Sequence, residues 1–225
     1  MPSAVRSAPR VELASRLNDG IARLGIDVSA EGRAQLLQYL HLLAKWNAVY
    51  NLTSVRDIHD MLAVHLLDAL SIVPIVDELA PRSVVDVGSG AGIPAIPLAI
   101  ARPVLKVRSV DAVAKKVGFQ LQVKGELRLA NLEPLHRRIE DLQPVPVPDL
   151  IVSRAYADLA KMLASVEHLV DEQCRILAMK GVRPEAELSA VPATWVVVAT
   201  RTLDVPFLGA ERCAVLIRRA GAVAS

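Results

Sequence analysis

The stretch richest in possible chemistry is Val84-Val-Asp-Val-Gly-Ser-Gly-Ala-Gly-Ile-Pro94, an apolar run that enters a Gly-x-Gly-x-Gly turn. Gly88, Gly90 and Gly92 permit a tight reversal and let a ligand approach the backbone where a Cβ would collide. A dinucleotide fingerprint requires a glycine where Ile93 stands, so the match to a pyrophosphate loop is imperfect. Asp86 lies two residues before the first glycine. Asp111 closes the next apolar run, where an acid can bond ribose hydroxyls. An acid beside the turn suits a nucleoside ligand with a positively charged amino group better than one with a pyrophosphate. S-adenosylmethionine, with its ammonium and sulfonium, is such a ligand.

These residues need a frame. After Pro81 the chain alternates short β-branched runs with helix-length segments: Ser83–Val87, Leu105–Val110, Leu132–Leu135, Leu150–Ser153 and Arg175–Met179. That spacing predicts βαβ units, a mostly parallel sheet and helices on both faces. The last two runs, Trp195–Ala199 and Cys213–Ile217, are joined by a loop and are expected to close the sheet as an antiparallel hairpin. Upstream, Ala14, Leu17, Ile21 and Leu24 fall on one helical face. Leu36, Leu37, Leu40, Leu43 and Ala44 do so again after a Ser29-Ala-Glu-Gly start. The expected division is a helical extension over residues 1–80 packed on a core over residues 81–225. Residues 1–9 show no apolar period, and Gln143-Pro-Val-Pro-Val-Pro148 reads as a stiff connector.

Composition narrows the class. The 225 residues are 52% apolar and only 3% aromatic, which excludes a disordered or disulfide-stapled chain. A net charge of +2 neither identifies nor excludes a nucleic-acid partner. The mild positive excess lies after residue 80. Cys174 and Cys213 form no metal-binding spacing, His59 and His65 are six residues apart, and no metal site is expected. Two cysteines without a pairing pattern make a reducing cytoplasm the expected compartment, and prolines interrupt apolar stretches that are already too short to cross a bilayer, so no span is expected.

The strings Lys45-Trp-Asn-Ala-Val-Tyr-Asn-Leu-Thr-Ser54, His65-Leu-Leu-Asp68, Val85–Pro94, Ser153-Arg-Ala155 and Ala178-Met-Lys-Gly181 resemble the bacterial ribosomal RNA small subunit methyltransferase G family, also called glucose-inhibited division protein B. Their order fits across nearly the whole chain. The resemblance implies a Rossmann-like α/β methyltransferase with a mostly parallel seven-stranded sheet. It implies transfer of the methyl of S-adenosylmethionine to N7 of guanine 527 of 16S rRNA; the expected partner is that RNA within the 30S subunit or an assembly intermediate, and the expected state a monomer, with naked 16S rRNA and higher oligomers left open. Carried over, it assigns Gly88 and Ile93 to the methionine and adenosine parts, Asp111 to the ribose, Ile139 and Glu140 to the adenine edge, and Arg154 to the cofactor.

Further roles follow from position. Lys180 and Arg154, at the ends of two predicted strands, are candidates for holding guanine O6 or a phosphate. Asn51 and His65 are candidates for the substrate cleft, Lys115, Lys116, Arg137 and Arg138 for RNA phosphates, and Trp46 and Tyr50 for base stacking. Trp46 also follows the apolar face of its helix. Family members usually carry glycine where Ala95 stands, and often Lys-Arg-x-x-Phe-Leu where this chain has Lys115-Lys-Val-Gly-Phe-Gln120. The fourth strand ends in Ser153-Arg-Ala-Tyr156 rather than the Asp/Asn-Pro-Pro-aromatic of exocyclic-amine methylation, and neither cysteine stands in a nucleophile motif. A ring nitrogen remains, and it needs no general base. Two other readings compete: a nicotinamide-dependent oxidoreductase on the same turn, and a non-catalytic ribosome-binding module. A Gly88→Val change is expected to block the cofactor with little loss of fold.

Overall fold

In the computed structural model, which describes residues 8–143 and 146–221, five parallel strands form the centre of the molecule. They are β1 (Ser83–Val87), β2 (Lys106–Asp111), β3 (Leu132–His136), β4 (Leu150–Arg154) and β5 (Arg175–Lys180). A hairpin of β6 (Trp195–Thr202) and β7 (Cys213–Arg219) completes a sheet of order β3-β2-β1-β4-β5-β7-β6. β7 is antiparallel to both neighbours, so the sheet is mixed at one edge. Strand order reverses between β1 and β4, and the carboxyl ends of strands at such a switch point leave a crevice for a ligand.

The β-branched runs become strands because successive side chains can feed two cores at once. Val84, Leu150, Val152, Leu177 and Leu216 enter one core, while Val85, Ile151, Ile176 and Ile217 enter the other. The first core also receives the amino-terminal helices α1 (Ala8–Arg23) and α2 (Ala30–Tyr50). A broken run follows: α3 (Ile58–Met61), a π-helical turn (Leu62–Leu67), α4 (Asp68–Leu70) and α5 (Val73–Leu79). Helices α6 (Ala95–Ala101) and α7 (Ala114–Leu127) pack on the same face, α8 (Leu159–Val166) on the other, and a short α9 (Glu185–Ser189) precedes β6.

Local chemistry explains the helix limits. Ser29 caps α2 by accepting from Gly32 N at 3.0 Å, and Asn51 ends it in the left-handed region at φ 48°. Asp57 caps α3 through the N–H groups of His59 and Asp60. The buried stripe of α1 is Leu13, Leu17 and Ile21, each contributing about 2 kcal/mol by burial. Ala14 and Leu24 lie at its border rather than on it, because Leu13 offers more apolar area to the core than Ala14. Several boundaries move: Ala8 and Pro9 belong to α1, where proline is tolerated in the first turn, β2 begins at Lys106 and ends at Asp111, and β3, β4, β5, β6 and β7 run on to His136, Arg154, Lys180, Thr202 and Arg219. Residues 1–7 and two residues of the Gln143–Pro148 connector, Pro144 and Val145, lie outside the described residues.

Candidate functional site

The glycine turn crosses the carboxyl ends of β1 and β2. Gly88, Gly90 and Gly92 adopt φ values of 68°, 59° and 82°, which L side chains rarely reach. The N–H groups of Gly88 and Ser89 both donate to Val110 O, at 2.9 and 3.1 Å, tying the turn to β2. Asp111 then braces it: Oδ2 accepts from Gly90 N and Oδ1 from Val113 N, each at 2.8 Å. Lys116 Nζ lies 3.9 Å from Asp111 Oδ2. Gln120, fully buried on α7, donates to Ser89 Oγ and Gly90 O and pairs with Ser109 Oγ. From α2, the Tyr39 hydroxyl donates to Ala91 O at 3.0 Å.

Beside the turn opens a cleft of about 370 Å³, lined by Gly88, Asp111, Ile139, Glu140, Ala155 and Tyr156 among others. Lys116, Arg137 and Arg138 stand on its wall. Both arginines are exposed and meet no carboxylate within 4 Å among the described residues. The donor and acceptor set fits an adenosyl group. Each Asp111 oxygen has one acceptor site spent and another to offer a hydroxyl, Glu140 offers a second carboxylate, and Gly88 leaves the wall without a side chain. A Cβ at Gly88 would strike the Tyr156 ring, and the positive φ strains any L residue there. Gly88→Val therefore perturbs the protein itself as well as the ligand, contrary to the expectation of little loss of fold.

Beneath the turn, Asp86 is fully buried at the end of β1. Oδ2 accepts from Ala95 N at 3.0 Å, and Oδ1 has no partner among the described residues. Burial pushes its pKa up to about 7, while the Ala95 bond and the nearby Arg154 charge hold it down. Ala95 is completely enclosed here, so its methyl is accommodated in the core. Ile93 packs in the core, and Gly92 has no room for a Cβ because Ile96 fills that space.

A second polar group surrounds Arg154 at the end of β4. Nη1 donates to Val64 O and to Asp68 Oδ2, both at 2.9 Å, and Nη2 lies 3.4 Å from His65 Nδ1. Asp68 is buried and also accepts from Arg212 Nε at 3.1 Å. His65 Nε2 meets Thr53 Oγ1 at 2.7 Å. Burial, then the Arg154 charge, lower the His65 pKa to about 4, so this ring is neutral at physiological pH.

The sequence profile of the rRNA small subunit methyltransferase G family matches residues 33–216. The chain belongs to this family. A ribosomal RNA small subunit methyltransferase G from Azoarcus sp. (strain BH72) is 47% identical over 206 residues, covering 92% of this chain and 96% of that protein. One from Burkholderia ambifaria is 50% identical over 214 residues, covering 92% and 94%. The fold also matches magnesium protoporphyrin IX methyltransferase from Synechocystis with bound S-adenosylmethionine, at TM-score 0.54 and 13% identity, covering 81% of this chain and 97% of that one. Membership of a methyltransferase family leaves the oxidoreductase and non-catalytic readings without support.

Within this family member, Gly88, Asp111, Ile139 and Glu140 meet at one cleft, whereas Asp86, Gly92 and Ile93 support the turn from below. Lys180 is engaged by Glu187 Oε2 at 2.7 Å and Ala157 O at 2.8 Å. Lys115 Nζ donates to Tyr50 O, and exposed Asn51 accepts from Arg56. Trp46 is half-buried, with its ring 5.0 Å from Tyr50 and 5.5 Å from Phe119. Both cysteines are buried, and burial pushes the Cys174 thiol up to about 12, far from a nucleophile's range. Sequence reasoning missed Asp68, Thr53, Arg212, Gln120 and Tyr156. Asp68 and Thr53 stood inside strings already singled out, but nothing local says what they face. No helix among the described residues is long and apolar enough to cross a membrane.

Proposed function

We propose that this protein transfers the methyl group of S-adenosylmethionine to N7 of guanine 527 in 16S rRNA, presented by the 30S subunit or an assembly intermediate. The observation that carries the reading is a glycine turn opening on a two-carboxylate cleft in a chain of the rRNA small subunit methyltransferase G family. Residues 81–225 act as the catalytic core and residues 1–80 as a helical extension that shares its hydrophobic core. The protein works as a cytoplasmic monomer.

Asp111 receives the ribose hydroxyls on the acceptor sites its two backbone bonds leave open. Ile139 and Glu140 receive the adenine edge, Gly88 admits the ligand to the backbone, and Asp86 and Ile93 hold the turn in shape. When bound, S-adenosylmethionine supplies an electrophilic methyl group on its sulfonium. N7 of guanine presents its own lone pair, so the residues around it have no proton to remove, and their contribution is orientation and exclusion of water. Arg154 and Lys180 orient the base, while Lys116, Arg137 and Arg138, with Lys115 and Asn51 further out, face the RNA. His65, buried with both ring nitrogens engaged by Arg154 and Thr53, has a supporting place behind Arg154 rather than one in the substrate cleft. Such phosphate contacts fix register without reading sequence.

The test is transfer of labelled methyl from S-adenosylmethionine to purified 30S subunits, naked 16S rRNA and tRNA. Label is expected in 30S or 16S rRNA and not in tRNA. No label in any of them, with S-adenosylmethionine still bound, would overturn the catalytic reading.

A further inference from the structure

The turn Leu62–Leu67 leaves the α form although it contains neither proline nor glycine. In an uninterrupted α-helix the Asp68 N–H would bond Val64 O. Here it goes to the Ala63 and His65 carbonyls, and Val64 O is taken by Arg154 instead. Single-turn π insertions are rare and recur at functional sites. This one presents three acceptors from one short segment to one guanidinium: Val64 O, Asp68 Oδ2 and His65 Nδ1.

We infer that Asp68 and His65 are positioning residues that clamp Arg154, which holds an oxygen acceptor of a substrate through the N–H groups the clamp leaves open. The inference rests on the methyl-transfer reading. A guanidinium has five N–H donors. The clamp engages both on Nη1 and one on Nη2, and the other two meet no protein acceptor among the described residues. Arg154 is not sealed off: its side chain is 19% exposed, and the next two residues, Ala155 and Tyr156, line the cleft. Ala155 sits in the left-handed region at φ 53°, a strained conformation of the kind that clusters at functional sites.

Asp68 is pinned from the far side by Arg212, so its carboxylate cannot swing to follow Arg154. Desolvation offsets most of the attraction in such buried pairs, so what the arrangement chiefly supplies is direction. His65 contributes in one tautomer only. A guanidinium only donates, so Nδ1 must accept, and the ring proton lies on Nε2, which donates to Thr53 Oγ1. The group received is an oxygen acceptor, and the two that lie beside the reacting atoms are a carbonyl and a carboxylate. Guanine O6, beside the reacting N7, and the carboxylate of the methyl donor share that chemistry, and the arms of the test separate them.

The test compares wild type with Asp68→Asn and Asp68→Glu by thermal melting, calorimetric affinity for S-adenosylmethionine, and kcat and KM with 30S subunits. Asp68→Asn is expected to fold and to lose at least tenfold in one of two readouts, with partial rescue by Asp68→Glu. A fall in kcat with affinity and KM within threefold of wild type places the open donors on the base. A tenfold loss of S-adenosylmethionine affinity places them on the methyl donor. Wild-type kcat and affinity in the folded variant would overturn the inference. Nitrogen-15 NMR of the wild-type arginine side chains, without substrate, keeps the clamp testable if the variants do not fold. Separate, slowly exchanging Nη signals are expected for Arg154, and a single averaged signal would overturn the clamp. Absence of any methyl transfer by wild type overturns the parent reading instead, and the NMR result distinguishes the two failures.

Discussion

The glycine-turn cleft and the Arg154 cluster lie at the carboxyl ends of neighbouring strands, β1 and β4, yet they are built in opposite ways. The cleft is made of backbone: three positive-φ glycines, N–H groups aimed at Val110 and Asp111, and a lining that stays partly open. The cluster is made chiefly of side chains delivered from far along the chain, with Asp68 86 positions from Arg154 and 144 from Arg212, and one main-chain carbonyl, Val64 O. Backbone shape tolerates changes around it but not within it, because each glycine is needed where it stands. A side-chain cluster depends instead on every member being present, since a charge left unpaired inside costs far more than the pair contributes. The two regions should therefore fail differently when mutated.

The largest effect is expected in the cleft. Asp111→Ala removes the acceptor of both Gly90 and Val113 and should lower S-adenosylmethionine affinity by about 3 kcal/mol, roughly 100-fold. Calorimetry reads the affinity and a melting curve checks the fold. Unchanged affinity would break the comparison at its first half.

Gln120→Leu keeps the side chain's bulk but leaves buried Ser109 without its partner, at about 2 kcal/mol of stability. The double variant Ser109→Ala/Gln120→Leu should regain part of that loss. A double variant no better than the single one would show that Gln120 does not brace the turn through this pair. Chemical denaturation measures all three.

The third effect concerns pH. The Asp86 pKa rises from an ordinary 3.8 to about 7 on folding, so between those values the folded state keeps a proton that the unfolded state has released. Stability should fall as pH rises across that window, by at most about 1.4 kcal/mol per pH unit. His65 works in the other direction. Its folded pKa of about 4 lies below the ordinary 6.5, so its contribution is complete above 6.5 and is lost as pH falls toward 4. Asp86→Asn should remove the first slope and expose the second, and an unaltered pH profile of denaturation would contradict the Asp86 assignment.

The smallest effect lies outside both regions. Ala80 ends α5 at φ 46°, where glycine carries no Cβ penalty, so Ala80→Gly should stabilise by up to about 1 kcal/mol without altering transfer. A change in transfer rate would mean that helix ends remote from the cleft also set its shape.

This contrast also explains what could be read without coordinates. The turn is a contiguous string whose glycines announce their conformation, and the strands announce themselves because Val84 and Val85 must feed different cores. Ser29 as a cap and Asp111 at a strand end were legible for the same local reason. Asp68, Thr53 and Gln120 were not, since nothing near them in the chain shows that they meet Arg154, His65 and Ser89. The π-helical turn left no signal either: its residues are ordinary helix formers, and its geometry answers to a guanidinium arriving from β4.

The central claim is best tested on the product. Small subunits labelled by this protein from S-adenosylmethionine should be digested to nucleosides and the labelled position mapped on 16S rRNA. The predicted result is label in N7-methylguanine at guanine 527. Label in an exocyclic amine, a pyrimidine carbon or a different nucleotide would contradict it.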